Sequence, residues 1–169
     1  LEAKGLYLFD SGATYKDGTT DVTRTISLGE NTYEEKLHYT LVTIGMLRLL
    51  NTIFKRGAIG VCLDIKAREA LWEHRLDYNH GTGHGVGFVN TVHEAPTSIR
   101  NKINKDVFRN LEFEPGMIMS DEPGVYISGK HGIRMEILMT VEDKGEGFLG
   151  FEPLTMAPID SEPLLVDVM

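Results

Sequence analysis

The chain opens with a short apolar run, Leu6-Tyr7-Leu8-Phe9, that stops at Asp10-Ser11-Gly12. A run of that length closed by turn formers predicts a buried strand. Lys16-Asp17-Gly18 is a turn signal, and the β-branched stretch from Val22 to Leu28 predicts the returning strand of a hairpin. Asp10 then stands near the end of one strand and Asp21 near the start of the next. From about 33 to 55 the period changes. Leu37, Leu41, Ile44, Leu47, Leu50 and Phe54 recur at spacings of three and four, the apolar stripe of a helix. Thr32 with Glu35 fits a capping box at its start, and Gly57 a stop. A second helix is expected over about 62–76. Beyond Tyr78 the pattern turns to strands and glycine-rich turns, with a strand over Met117–Met119. Ile133, Met135, Ile137, Met139 and Val141 alternate strictly. They predict one buried face of a strand, with Arg134, Glu136, Leu138 and Thr140 on its other face. No repeat, low-complexity tract or linker divides the chain.

At 169 residues the chain suits one domain with a sizeable core, and 41% hydrophobic with 25% charged residues is ordinary for a globular protein. A net charge of −8 argues against a nucleic-acid partner. No apolar run approaches the ~18–20 residues that span a bilayer, so no membrane partner is expected, and no stretch reads as a secretory signal. The single cysteine, Cys62, lies between Val61 and Leu63 and is expected in the core. One cysteine makes no internal disulfide and asks for no oxidising compartment, so a cytoplasmic location is expected. The first residue is Leu1 and a strand follows at once, so the chain is expected to be a piece of a larger protein.

Five residues carry candidate chemistry: Asp10, Asp21, His84, Glu122 and Glu136. Glu136 sits within a strand whose other face is apolar, and a buried carboxylate is costly without a cation. Arg134, two residues away on the same face, is one candidate partner; a metal ion is the other. Asp21 sits across the hairpin from Asp10, eleven residues later, a length able to bring the two carboxylates together, and close carboxylates repel unless a proton or cation lies between them. His84 lies in His80-Gly81-Thr82-Gly83-His84-Gly85-Val86-Gly87, where four glycines clear space around both imidazoles. Glu122 lies in Asp121-Glu122-Pro123-Gly124. Taken singly, each has an ordinary explanation as a turn residue, loop histidine or structural ion pair.

In order along the chain, the five resemble the ligand segments of the pita-bread metallopeptidases, and most nearly their Xaa-Pro aminopeptidase (aminopeptidase P) branch. The resemblance runs through Gly18-Thr19-Thr20-Asp21-Val22-Thr23-Arg24-Thr25, the His80–Gly87 segment, Asp121–Gly124 and Gly132-Ile133-Arg134-Met135-Glu136. It closes with Phe151-Glu152-Pro153-Leu154-Thr155, and covers roughly residues 5–160. It implies an α+β pita-bread fold, a curved and mainly antiparallel sheet with helices on its outer face. It implies a metal-dependent hydrolase that removes an N-terminal residue preceding proline, with a water between two divalent cations as the attacking group. Asp21 and Glu136 would bridge the cations, Asp10 would complete one site, and His84 with Glu122 the other. Four carboxylates and one imidazole are mostly hard ligands, which suits manganese, with cobalt or zinc as alternatives.

Further roles follow from the same resemblance. Glu122 would also shuttle protons, His93 would bond the substrate carbonyl, His80 would line the proline pocket, and Arg134 would orient the bridging carboxylates. The family's upstream histidine, its opening helices and its final helical extension have no counterpart here. Residues 1–169 are therefore expected to be one partial catalytic domain, truncated, weakly active or inactive alone, and disposed to pair as a homodimer. Prolidase, methionine aminopeptidase and a non-catalytic peptide-binding module of the same fold stand as alternatives. His38, His74 and His131 have no assigned role.

Overall fold

The computed structural model describes all residues except Asn90, Asn104 and 106–110; of Pro96 only the backbone is described. The chain begins with an antiparallel hairpin, β1 (Leu6–Tyr15) and β2 (Gly18–Ser27). Helix α1 (Tyr33–Leu50) follows, then β3 (Phe54–Lys55) and helix α2 (Gly60–Glu73). Seven strands complete the order: β4 (Gly83–Gly85), β5 (Glu94–Ile99), β6 (Ile118–Asp121), β7 (Gly124–Ile127), β8 (His131–Arg134), β9 (Ile137–Gly145) and β10 (Phe148–Pro153). A six-stranded sheet runs in the order β3-β10-β9-β6-β4-β5, and β7 with β8 forms a second hairpin. All these strand pairings are antiparallel.

The capping box is formed as expected. Thr32 accepts from the Glu35 amide, and the Glu35 carboxylate accepts from the Thr32 amide at 2.7 Å. The helix ends at Leu50, short of the expected 55, because Phe54 leaves to pair with Leu149 on β10. The apolar stripe understates its burial: Tyr39, Val42, Met46 and Leu49 are buried as well as Leu41. Helix α2 buries Leu63, Asp64, Ala67, Arg68 and Leu71 on one stripe. Cys62 lies off that stripe and is exposed, which corrects its expected place in the core.

The alternating stretch after Gly132 is two strands, not one. Residues 131–134 pair with β7, whereas 137–145 pair with β6 and β10. Between them the Glu136 amide donates to the Thr23 carbonyl of β2 at 3.1 Å. The parity of burial survives the switch: Ile133, Met135, Ile137, Met139 and Val141 are all buried. This crossover brings Glu136 against the first hairpin.

Candidate metal centre

The hairpin register sets the first two carboxylates. Asp10 faces Thr23 and Asp21 faces Gly12, so Asp10, Asp21 and Thr23 share one face. Gly12 leaves the space opposite Asp21 without a side chain. Thr23 then donates from Oγ1 to a Glu136 oxygen at 2.7 Å. His84 enters from β4, whose close neighbours are β5 and β6. Its ring Nδ1 bonds the Gly85 carbonyl at 2.9 Å, which turns Nε2 toward the carboxylates. Nε2 lies 3.1 Å from Glu122 Oε1 and 3.6 Å from Asp21 Oδ2.

Asp21, His84 and Glu136 each offer a ligand atom, and these three lie within 4.8 Å of one another. Asp10, Asp21, His84, Glu122 and Glu136 all line one cavity of about 420 Å³. Asp10 stands apart from the tight cluster, paired with Arg134 at 2.6 Å and half exposed. A second cavity of about 460 Å³ adjoins the first, sharing His84, His93 and Glu122, and adds His80 and Arg134 to its wall. The His93 ring stands edge-to-face on His84, with centroids 4.3 Å apart. His80 Nε2 meets the Tyr126 hydroxyl at 2.9 Å, and Arg134 donates to the same hydroxyl at 3.0 Å.

The electrostatics are those of a cluster short of positive charge. Burial first, then the charges of Glu122, Asp21 and Asp10, push the Glu136 carboxyl up to about 8, against the lowering bond from Thr23. Burial likewise raises Asp21, with Asp10 and Glu122 adding to it and His84 opposing. Burial lowers His84, but its bond to Glu122, the Gly85 carbonyl and the Asp21 charge outweigh it, so the net shift is upward. With Nδ1–H given to Gly85, Nε2 and the Glu122 oxygen are both acceptors, and at 3.1 Å they need a proton or a cation between them. The donor set therefore fits divalent cations held by oxygen and one imidazole nitrogen.

Arg134 departs from its expected partner. It pairs with Asp10, and its Nε is 3.9 Å from Glu122, while Glu136 is held by Thr23. The sequence reading also passed over Thr23, Ser120 and Arg24. Ser120 Oγ accepts from the His84 amide at 3.0 Å and donates to Glu122 at 3.1 Å. Arg24 donates to the carbonyls of Thr23, Glu136, Ala157 and Pro158, tying the stretch after β10 to β2. Thr23 and Arg24 follow Asp21 in the Gly18–Thr25 segment, and that position is their signal in the sequence; Ser120 has only its place two residues before Glu122. His38 and His131 meet elsewhere, Nδ1 to Nε2 at 2.8 Å.

A mostly antiparallel sheet backed by two helices, with this cluster between sheet and hairpin, defines the pita-bread class of metallopeptidase folds. The chain belongs to metallopeptidase family M24, whose model it matches over residues 1–143. It is 47% identical over 166 residues to a probable Xaa-Pro aminopeptidase P of Tuber melanosporum, covering 94% of this chain and 26% of that protein. A probable Xaa-Pro aminopeptidase P of Metarhizium acridum is 43% identical over 165 residues, with 94% and 26% covered. Among solved structures, an X-prolyl aminopeptidase from Caenorhabditis elegans, described as a cytosolic enzyme with a di-nuclear active site, superposes with a TM-score of 0.91. It is 38% identical, with 99% of this chain and 27% of that one covered. An Xaa-Pro dipeptidase from Bacillus anthracis gives 0.76 at 33% identity, covering 90% and 39%. The chain spans about a quarter of the length of the curated relatives it matches. No helix among the described residues is long and apolar enough to cross a membrane.

Proposed function

We propose that the chain is the metal-binding part of a cytoplasmic metallo-aminopeptidase that hydrolyses the bond between an N-terminal residue and proline. The observation that carries this is the convergence of Asp21, His84 and Glu136 within coordination reach, with Asp10 and Glu122 on the same cavity wall. Two divalent cations, manganese first, would suit this donor set and would be held by Asp10, Asp21, His84, Glu122 and Glu136. When bound, such a pair polarises a carbonyl and acidifies water.

The protein side chains do the rest. Glu122 sits between His84 and Ser120, able to take a proton from water and pass it to the departing proline nitrogen. His93, which lines both cavities, would donate to the substrate carbonyl as negative charge develops on its oxygen. His80, fixed through Tyr126, walls the second cavity where the proline ring would lie. Arg134 holds Asp10 in place from the cavity rim. Residues 1–169 act as part of a catalytic domain, and a homodimer is the proposed assembly.

Metal analysis and peptide hydrolysis test the reading together. The parent chain should bind a pair of manganese ions, and Asp21→Asn should lose that pair. In the longest natural protein that carries the chain, an Xaa-Pro tripeptide should be cleaved and a Met-Ala peptide left intact. Cleavage confined to Xaa-Pro dipeptides would reassign it as a prolidase. Stoichiometric metal with no hydrolysis of any of these would end the peptidase reading.

A further inference from the structure

The segment that carries His80 and His84 is held in the sheet by backbone pairing and has little side-chain packing of its own. A Cβ added at Gly83 would lie 2.0 Å from the Ser120 carbonyl oxygen, and one at Gly85 2.3 Å from that of Glu94. Neighbouring backbone comes too close for side chains there, so the usual means of fixing a strand by packing is lost. Glycine also gives up more chain entropy than any other residue when it is ordered. Helix α2 adds an anchor from outside the sheet.

Arg68 is wholly buried. Its Nε donates to Asp64 at 2.6 Å, and Nη1 to Asp77 at 2.6 Å and to the Tyr78 carbonyl at 2.7 Å. Nη2 donates to the His80 carbonyl at 2.9 Å. The guanidinium carbon lies 3.7 Å from the Tyr78 ring centroid. The second oxygen of Asp64 accepts from the Thr82 hydroxyl at 2.5 Å. Thr82 in turn donates its amide to Ile99 and accepts the Glu122 amide at its carbonyl, both at 2.8 Å. One cation thus reaches the backbone of His80 directly, and through Asp64 and Thr82 the backbone of Glu122 and the residues leading to His84. Burying an arginine for stability alone is a poor bargain, since a packed apolar side chain usually does as well.

We infer that Arg68, with Asp64, is a positioning residue that sets His80, His84 and Glu122 from helix α2. It touches neither substrate nor metal, and it acts by adding a fork of hydrogen bonds to the backbone pairing of the glycine segment. The inference rests on the metal-site reading above. Arg68→Lys keeps the charge and loses the fork.

Manganese titration and the ring resonances of 15N-labelled histidines, both on the whole chain, test it. Arg68→Lys should weaken manganese binding about 10- to 100-fold and shift the metal-free His80 and His84 ring signals. A core variant of α2 chosen for similar loss of thermal stability, Leu71→Ala, should leave both unchanged. Should Arg68→Lys fail to fold, Thr82→Val removes the hydroxyl that bonds Asp64 and Tyr78 while leaving the Arg68 fork intact, and should show the same changes at a smaller, roughly threefold, loss of affinity. Unchanged affinity and unchanged ring signals in the variant that folds would overturn the inference, as would equal changes in Leu71→Ala. If the parent chain binds no manganese, the metal-site reading fails and the ring signals alone decide the role of Arg68.

Discussion

Two buried carboxylates in this molecule have opposite surroundings. Asp64 and Glu136 are each about 1% exposed. Asp64 has a guanidinium at 2.6 Å and a hydroxyl at 2.5 Å on its two oxygens. Glu136 has a hydroxyl at 2.7 Å and then more carboxylates, Asp21, Glu122 and Asp10, as its charged company. The first is a completed ion pair, and the second is a carboxyl with no salt-bridge partner among the described residues. Burial alone therefore does not mark a site; burial among like charges does.

The largest test of that contrast is Asp64→Ala. It strands the Arg68 guanidinium and should cost about 3–5 kcal/mol in urea unfolding of the metal-free chain. A loss under about 1 kcal/mol would remove the distinction. Glu136→Gln should act in the opposite direction. With its carboxyl pushed up to about 8 in the folded chain, Glu136 binds a proton more tightly there than when unfolded. Its contribution is fully present below about pH 4.5 and is lost as pH rises through 8. At pH 8.5 without metal, Glu136→Gln should therefore be the more stable chain, by at least the ~1.4 kcal/mol of one pKa unit. The difference should vanish near pH 4, and manganese should reverse it at high pH.

Smaller changes refine the comparison. Thr23→Val removes a hydrogen bond to a carboxylate and should cost on the order of 1–2 kcal/mol at pH 8.5, with weaker manganese binding. The His38–His131 pair serves as a control outside both regions. Burial, then the neighbouring His131, lowers His38; Glu34 opposes, while Lys130 and His74 reinforce the shift. Its contribution is present above about pH 6.5 and lost on acidification. The chain with His38→Phe should lose roughly 1 kcal/mol less between pH 7 and 5 than the parent, by thermal melting.

The five candidate ligands were legible as an ordered set of local motifs, since taken singly each has an ordinary explanation. The hairpin and the capping box at Thr32 were legible for local reasons. The break at Met135-Glu136 was not, because alternation records which face a residue shows and says nothing of which strand it pairs with. Helix α1 ends early at Leu50 because Phe54 finds a partner some ninety residues away, at Leu149. Arg68 looked like any charged helix residue, since its partners at Asp77, Tyr78 and His80 lie beyond the helix end. Cys62 was misplaced because its apolar neighbours in sequence point to different sides of the helix.

Runs of glycine are commonly counted as hinges. The one around His84 works the other way: a three-residue strand wedged between two neighbours, with no gap in which a methyl group could sit. A side chain at Gly83 or Gly85 would have to push strands apart, so the stretch that looks most pliable on paper is a fixed spacer between its neighbours.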